Sequence, residues 1–159
     1  MGEVITLPNL VKLRVQWKFF RRRVVFTNGC FDILHRGHID YLTKAKSLGD
    51  VLIVGLNDDA SVTRLKGPQR PIVGQDDRAN IMVALRCVDY VCIFSEDTPY
   101  ETIKTLVPDV LVKGADWPID KVVGKDIVES AGGNVQTIEF LPQRSTSNII
   151  AKIAHSGKP

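Results

Sequence analysis

The stretch from Thr27 to His38, Thr-Asn-Gly-Cys-Phe-Asp-Ile-Leu-His-Arg-Gly-His, constrains this chain more than any other. Val24, Val25 and Phe26 precede it, β-branched and aromatic, and read as a buried strand. Ile39, Leu42, Ala45 and Leu48 follow it at helical spacing. The stretch is therefore a strand-to-helix crossing. Backbone N–H groups at such a helix start attract anions. Two of the chain's three histidines lie beside it, and the combination points to phosphate chemistry.

The rest of the chain repeats this alternation. Val51 to Leu56 is a nearly continuous apolar run, as expected of a parallel strand buried on both faces. Further strands are expected at Tyr90–Phe94, Val110–Lys113 and Val135–Phe140. Helices are expected over 76–87, from Thr98 (N-cap, with Pro99 and Glu101 behind it) to Val107, over 122–131 and over Ser145–Ile153. Residues 1–8 read as a tail, and a helix from Asn9 runs into Arg21-Arg22-Arg23, a basic helix end that suits the macrodipole. Strands and helices in this order predict an α/β fold: a Rossmann-like, doubly wound, five-stranded parallel sheet with helices on both faces. Residues 1–23 form an N-terminal extension and helix, and 24–159 the main domain. Ligands of such sheets bind beyond the carboxyl ends of the strands. The polar clusters Thr27–His38, Asn57–Asp59, Lys113–Trp117 and Arg144–Ser147 each follow an apolar strand.

Composition narrows the partners. A net charge of +3 on 159 residues is mild, so a small polyanion suits it better than nucleic acid, which wants a stronger basic bias. The competing reading is RNA binding led by Arg21–Arg23. Cys30, Cys87 and Cys92 are odd in number, lack metal-ligand spacing and read as reduced thiols of a cytoplasmic protein. No apolar run reaches the roughly 20 residues of a membrane span, and no secretory signal is visible. Neither a membrane nor a nucleic-acid partner is expected.

His35 and His38 lie one turn apart on one helix face, with Gly37 leaving room for a ligand. Their imidazoles can donate to phosphate oxygens. Zinc held with Asp32 or Cys30 is the competitor, but the spacing fits no standard zinc pattern. Asp32 is either a magnesium ligand or a structural carboxylate of the turn. Arg64 and Lys66 adjoin a breaker-rich loop, Lys66 to Pro71, that could cover a triphosphate. Lys113 ends an apolar strand and calls for an anion nearby. Arg144, Ser145, Thr146 and Ser147 form a phosphate cradle or a plain helix cap. There is no GxxxxGK[ST] loop and no GxGxxG, which disfavours P-loop NTPases and dinucleotide oxidoreductases.

The pattern T-x-G-x-F-D-x-x-H-x-G-H resembles the signature of the cytidylyltransferase-like nucleotidyltransferases. With Leu56–Val62, Arg64–Gly67, Val112–Asp116 and Ser145–Ile150, it resembles more closely the adenylyltransferases that make ADP-heptose for bacterial lipopolysaccharide, in colinear order from about residue 8 to the end. The resemblance implies transfer of AMP from ATP to D-glycero-β-D-manno-heptose 1-phosphate, with Mg2+ carried on the ATP phosphates and no protein metal site. It implies catalytic roles for His35, His38 and Lys66. Thr27, Asn28, Gly29, Cys30, Phe31, Gly37, Arg64, Gly114, Asp116, Arg144, Ser145, Thr146 and Ser147 would line the nucleotide. Asp32, Asp59, Lys113 and Trp117 would line the sugar phosphate. A homodimer is implied, as is a stand-alone transferase supplied by a separate sugar kinase. Glycerol 3-phosphate cytidylyltransferase and a non-catalytic nucleotide-binding module are the alternatives.

Overall fold

The computed structural model describes residues 2–142 and 144–156. Met1 of the expected tail, Gln143 of the loop before Arg144 and residues 157–159 lie outside them.

Six parallel strands form the sheet: β1 Glu3–Val4, β2 Val24–Gly29, β3 Val51–Asn57, β4 Tyr90–Phe94, β5 Val110–Gly114 and β6 Asn134–Ile138. Their order is β1-β4-β3-β2-β5-β6. The expected count of five is corrected by β1, which falls in the supposed tail and pairs Glu3 with Tyr90 and Val4 with Val91. Gly2 N–H to Val83 O (3.0 Å) and Ile5 N–H to Val91 O (2.9 Å) hold it at the sheet edge. A two-residue strand has no periodicity to read, and its partner alone defines it.

Helices α1 Leu7–Phe19, α2 Arg36–Lys46, α3 Asp59–Lys66, α4 Gln75–Val83, α5 Tyr100–Leu106, α6 Lys125–Ser130 and α7 Thr146–Ser156 alternate with the strands. Inward side chains divide by strand parity into two cores, as period 2 requires. Val25, Leu52, Leu56 and Val110 meet Leu42 and Ala45 of α2 and Met82 of α4. Val24, Phe26, Ile53 and Leu111 meet Leu10 of α1, Ile103 and Leu106 of α5 and Val128 of α6. Both faces are covered, which is why the strands read as unbroken apolar runs. Some ends differ from the sequence reading. Helix α4 stops at Val83, and α5 starts at Tyr100 with Pro99 rather than Thr98 at its N-cap.

From β2 the chain steps one way to β3 and β4, and β5 returns to the other side of β2. The strand order thus reverses at β2, and in such sheets the ligand crevice lies beyond the carboxyl ends of the strands at the reversal, here β2 and β5. The Thr27–His38 stretch leaves the carboxyl end of β2 at that point.

Candidate active site

The turn after β2 is shaped by its own side chains. Thr27 is fully buried, and its hydroxyl shares a 2.8 Å hydrogen bond with Tyr41 of α2, fastening strand to helix. Phe31 takes φ +44°, a left-handed conformation that costs a non-glycine residue about 1–3 kcal/mol. Its ring folds back over Gly29, where a Cβ would come within 3.0 Å of it. The same ring meets His38 edge-on at 5.3 Å.

His35 is the N-cap residue of α2 and His38 lies in its first turn. The two rings stack with centroids 3.9 Å apart and planes within 18°. Burial, and then the Arg144 charge, lowers the His35 pKa. Burial, and then His35, lowers that of His38 from 6.5 to about 4. Both Nδ1 atoms and the Asn28 Oδ1 are buried with no hydrogen-bond partner among the described residues. No side chain caps α2 and no acid sits in its first turn; the His38 N–H donates to His35 O (2.9 Å), while those of Arg36 and Gly37 have no partner among the described residues and stay open to an anion. A Cβ on Gly37 would lie 2.9 Å from His35 Nδ1 and 3.1 Å from Arg144 Cβ, so Arg144 borders this corner.

Beside it lies a cluster whose bonds are complete. Asp32 is 4% exposed and accepts from Arg70 Nε (2.5 Å), Ile72 N–H (2.9 Å) and Val73 N–H (2.8 Å). Burial alone would raise its pKa, but these bonds hold it below the ordinary carboxyl value. Both its oxygens serve the loop after α3, which favours the structural alternative for this residue. Arg78, 1% exposed, donates to the carbonyls of Cys30 (2.6 Å), Asn57 (2.9 Å) and Val73 (2.9 Å) and pairs with Asp59 at 2.8 Å. It thereby ties the ends of β2 and β3 to the loop. Sequence reasoning gave Arg78 and Arg70 no site role. The available signal was the helical phase, since Arg78 shares the inward face with Ala79 and Met82.

The two cations of α3 part company. Lys66, its last residue, is exposed, and its ammonium acts on the half-buried Cys30 thiol, opposing the burial that raises that pKa. Arg64 turns instead to Asp97 (2.7 Å) and the Ser95 carbonyl (2.6 Å). On the β5 side, burial lowers the Lys113 pKa while Asp116 and Cys30 oppose it. Its ammonium lies 5.8 Å from the centre of the Trp117 ring, which is 49% exposed. Gly114 leaves space that the Phe140 ring and Asp116 fill. Ser145 Oγ accepts from Asn148 N–H (3.1 Å), capping α7, and Thr146 Oγ1 donates to Ile33 O (3.1 Å), tying α7 to the turn. Ser147 is exposed.

Among the described residues, no three His, Cys, Asp or Glu side chains cluster to hold a metal. A concavity of about 570 Å³ lies at the opposite, amino edge of the sheet and touches none of these residues.

Residues 26–152 match the cytidylyltransferase-like family. The chain belongs to that family. The cytidylyltransferase-like match spans the turn, both histidines and the α7 start, so the expectation drawn from the motif agrees with it. Among curated relatives, the bifunctional protein HldE of Geobacter sulfurreducens is 60% identical over 132 residues, 83% of this chain and 27% of the relative. The protein of the same name from Wolinella succinogenes is 54% identical over 153 residues, 96% of this chain and 31% of the relative. The chain thus spans about a third or less of these relatives. A solved structure titled the lipopolysaccharide core biosynthesis protein from Thermoplasma volcanium is 31% identical, with a TM-score of 0.62 over 76% of this chain and 97% of that one. A pantoate-beta-alanine ligase from Francisella tularensis, complexed with an ATP analogue, shares the fold at 17% identity and TM-score 0.63 over 92% of this chain and 69% of that one.

Proposed function

We propose that this chain transfers AMP from ATP to D-glycero-β-D-manno-heptose 1-phosphate, releasing pyrophosphate. The observation that carries the reading is the stacked His35–His38 pair, with unpartnered buried nitrogens, at the open N-terminus of α2. Unpaired buried polar atoms are costly unless a ligand completes them. The motif set shared with ADP-heptose-forming adenylyltransferases supports the choice of substrates. So does the lipopolysaccharide title of the Thermoplasma volcanium relative.

An oxygen of the sugar phosphate attacks the α-phosphorus of ATP. The new P–O bond forms as the bond from that phosphorus to the α–β bridging oxygen breaks, and the electron pair leaves with pyrophosphate. The chain's task is positioning and charge stabilisation. His35 and His38 donate to phosphate oxygens as charge develops. Lys66 and Arg144 neutralise the triphosphate, with the N-terminus of α7 at Ser145–Ser147 beside it. Lys113, with Trp117, receives the sugar phosphate. Asp32 and Asp59 act indirectly, by fixing Arg70 and Arg78. Mg2+ would be carried by the ATP phosphates and water. ATP as donor and three free thiols suit the cytoplasm.

The test measures pyrophosphate release with ATP or CTP, each against heptose 1-phosphate or glycerol 3-phosphate. Turnover with ATP and heptose 1-phosphate alone supports the reading. Preference for CTP and glycerol 3-phosphate replaces it with the cytidylyltransferase. No release from any pair makes the chain a binding module.

A further inference from the structure

At the amino edge of the sheet, α1 ends in a patch that the reaction does not use. Val15, Phe19 and Phe20 are 68%, 81% and 70% exposed, and the two phenyl rings meet edge-on at 5.1 Å. Lys18 and Arg21 to Arg23 adjoin them in the chain, all exposed. None of these four cations has a carboxylate partner within ion-pair distance among the described residues. The sequence carries no Asp or Glu from Val4 to Phe31. An apolar wedge this exposed needs cover, and the charge around it selects what covers it.

We propose that this end of α1 is a peripheral docking surface for an anionic lipid bilayer. The aromatic pair and Val15 enter the interface while the four cations meet lipid phosphates, two signals that add where either alone is weak. A second copy of the chain would bring like charges face to face. RNA bases stack on ring faces, whereas these rings engage each other edge-on, and an aliphatic Val15 offers a base nothing. Among the described residues no helix is long and apolar enough to cross a membrane, and surface docking requires none. The patch precedes the first residue of β2 and the histidine turn follows its last. At about 3.3 Å per residue the two ends lie roughly 20 Å apart. Docking therefore leaves the crevice open to water. The inference is independent of which sugar phosphate the crevice takes.

The experiment is co-sedimentation of the full chain with vesicles of phosphatidylcholine alone or mixed with phosphatidylglycerol, at about 0.1 M salt, where screening extends about 10 Å. Binding to the anionic vesicles should be at least about tenfold tighter. R21Q/R22Q/R23Q should weaken it about 10²-fold, since each cation near such a surface contributes about fivefold. F19S/F20S should weaken it about tenfold or more. Both variants should keep pyrophosphate release in solution, which checks folding; if the serine variant fails to fold, the glutamine variant alone decides. Equal binding to the two vesicle types overturns the proposal. So does tighter retention of a single-stranded RNA homopolymer than of anionic vesicles. Self-association abolished by F19S/F20S without vesicle binding would assign the patch to a second copy and overturn it as well.

Discussion

Two polar clusters stand side by side at the carboxyl ends of the strands, and they differ in whether their hydrogen bonds are complete. In the Asp32–Arg70–Arg78–Asp59 cluster the buried guanidinium and carboxylate groups meet their partners. In the His35–His38–Asn28 corner the buried acceptors and ring nitrogens meet none. A closed network holds backbone in place; an open one is shaped for something else to complete. Both hold buried polar atoms, so burial alone does not tell them apart. Completeness does, and it predicts that damage to one cluster shows in stability and damage to the other in rate.

The largest effect should come from the centre of the closed cluster. Arg78→Met leaves the carbonyls of Cys30, Asn57 and Val73 without their donor and should cost on the order of 3–5 kcal/mol. Urea denaturation should show a lower midpoint at unchanged slope. If stability holds while kcat collapses, Arg78 belongs with the open corner and the distinction fails.

Next comes His38→Ala. Removing a donor aimed at developing charge should lower kcat about 10²–10³-fold, or roughly 3–4 kcal/mol. Stability should change by less than about 1 kcal/mol, because the ring satisfies no protein group. Near-normal turnover would take the pair out of the mechanism.

How far the sequence reaches follows the same division. Strands β2 to β5 were legible because a sheet covered on both faces demands apolar runs, and Val51–Leu56 is one; the edge strand β6, with Asn134, Gln136 and Thr137 in it, is not such a run. The histidine corner was legible because its parts are local, all within the turn. The closed cluster was not, because its acceptors are backbone carbonyls brought together only by the fold: Cys30, Asn57 and Val73 are far apart in sequence. Arg64, expected beside the nucleotide with Lys66, parts from it for a local reason. It lies two residues before Lys66, and residues two apart on a helix face different ways. One reaches the Ser95–Asp97 turn and the other acts on Cys30. Strand β1 depends on register with Tyr90 and Val91, which two residues cannot announce.

A smaller effect probes the seam between the clusters. Asp32→Asn keeps the shape but replaces a carboxylate that accepts from Arg70 and two backbone N–H groups. The loss should be about 2 kcal/mol of stability. The loop it anchors begins just after Lys66, so KM for ATP should rise more than kcat falls. An equal fall in kcat with KM unchanged would put Asp32 at the reacting atoms instead.

The smallest effect separates the clusters by pH. An unfolded chain protonates His38 as pH falls through 6.5, whereas the folded protein does so only near 4. Between those values the unfolded state binds more protons, so stability rises with pH across the window and levels off above it. His35, also lowered, adds to the same slope. Asp32 is lowered from 3.8, so its contribution is intact above that value and fades only below it. Tm should therefore drop as pH falls from 6.5 towards 4, and His38→Gln should flatten that drop in part. Asp32→Asn should lower the curve evenly above 3.8, leaving that drop unchanged, and change its slope only below 3.8. A triphosphate in the corner favours the charged imidazoles, so its binding near pH ~6 should take up protons. Calorimetry in buffers of different ionisation enthalpy reads that uptake directly. If binding enthalpy is independent of the buffer, the histidines stay neutral beside the phosphates, and the open corner is completed by hydrogen bonds without charge.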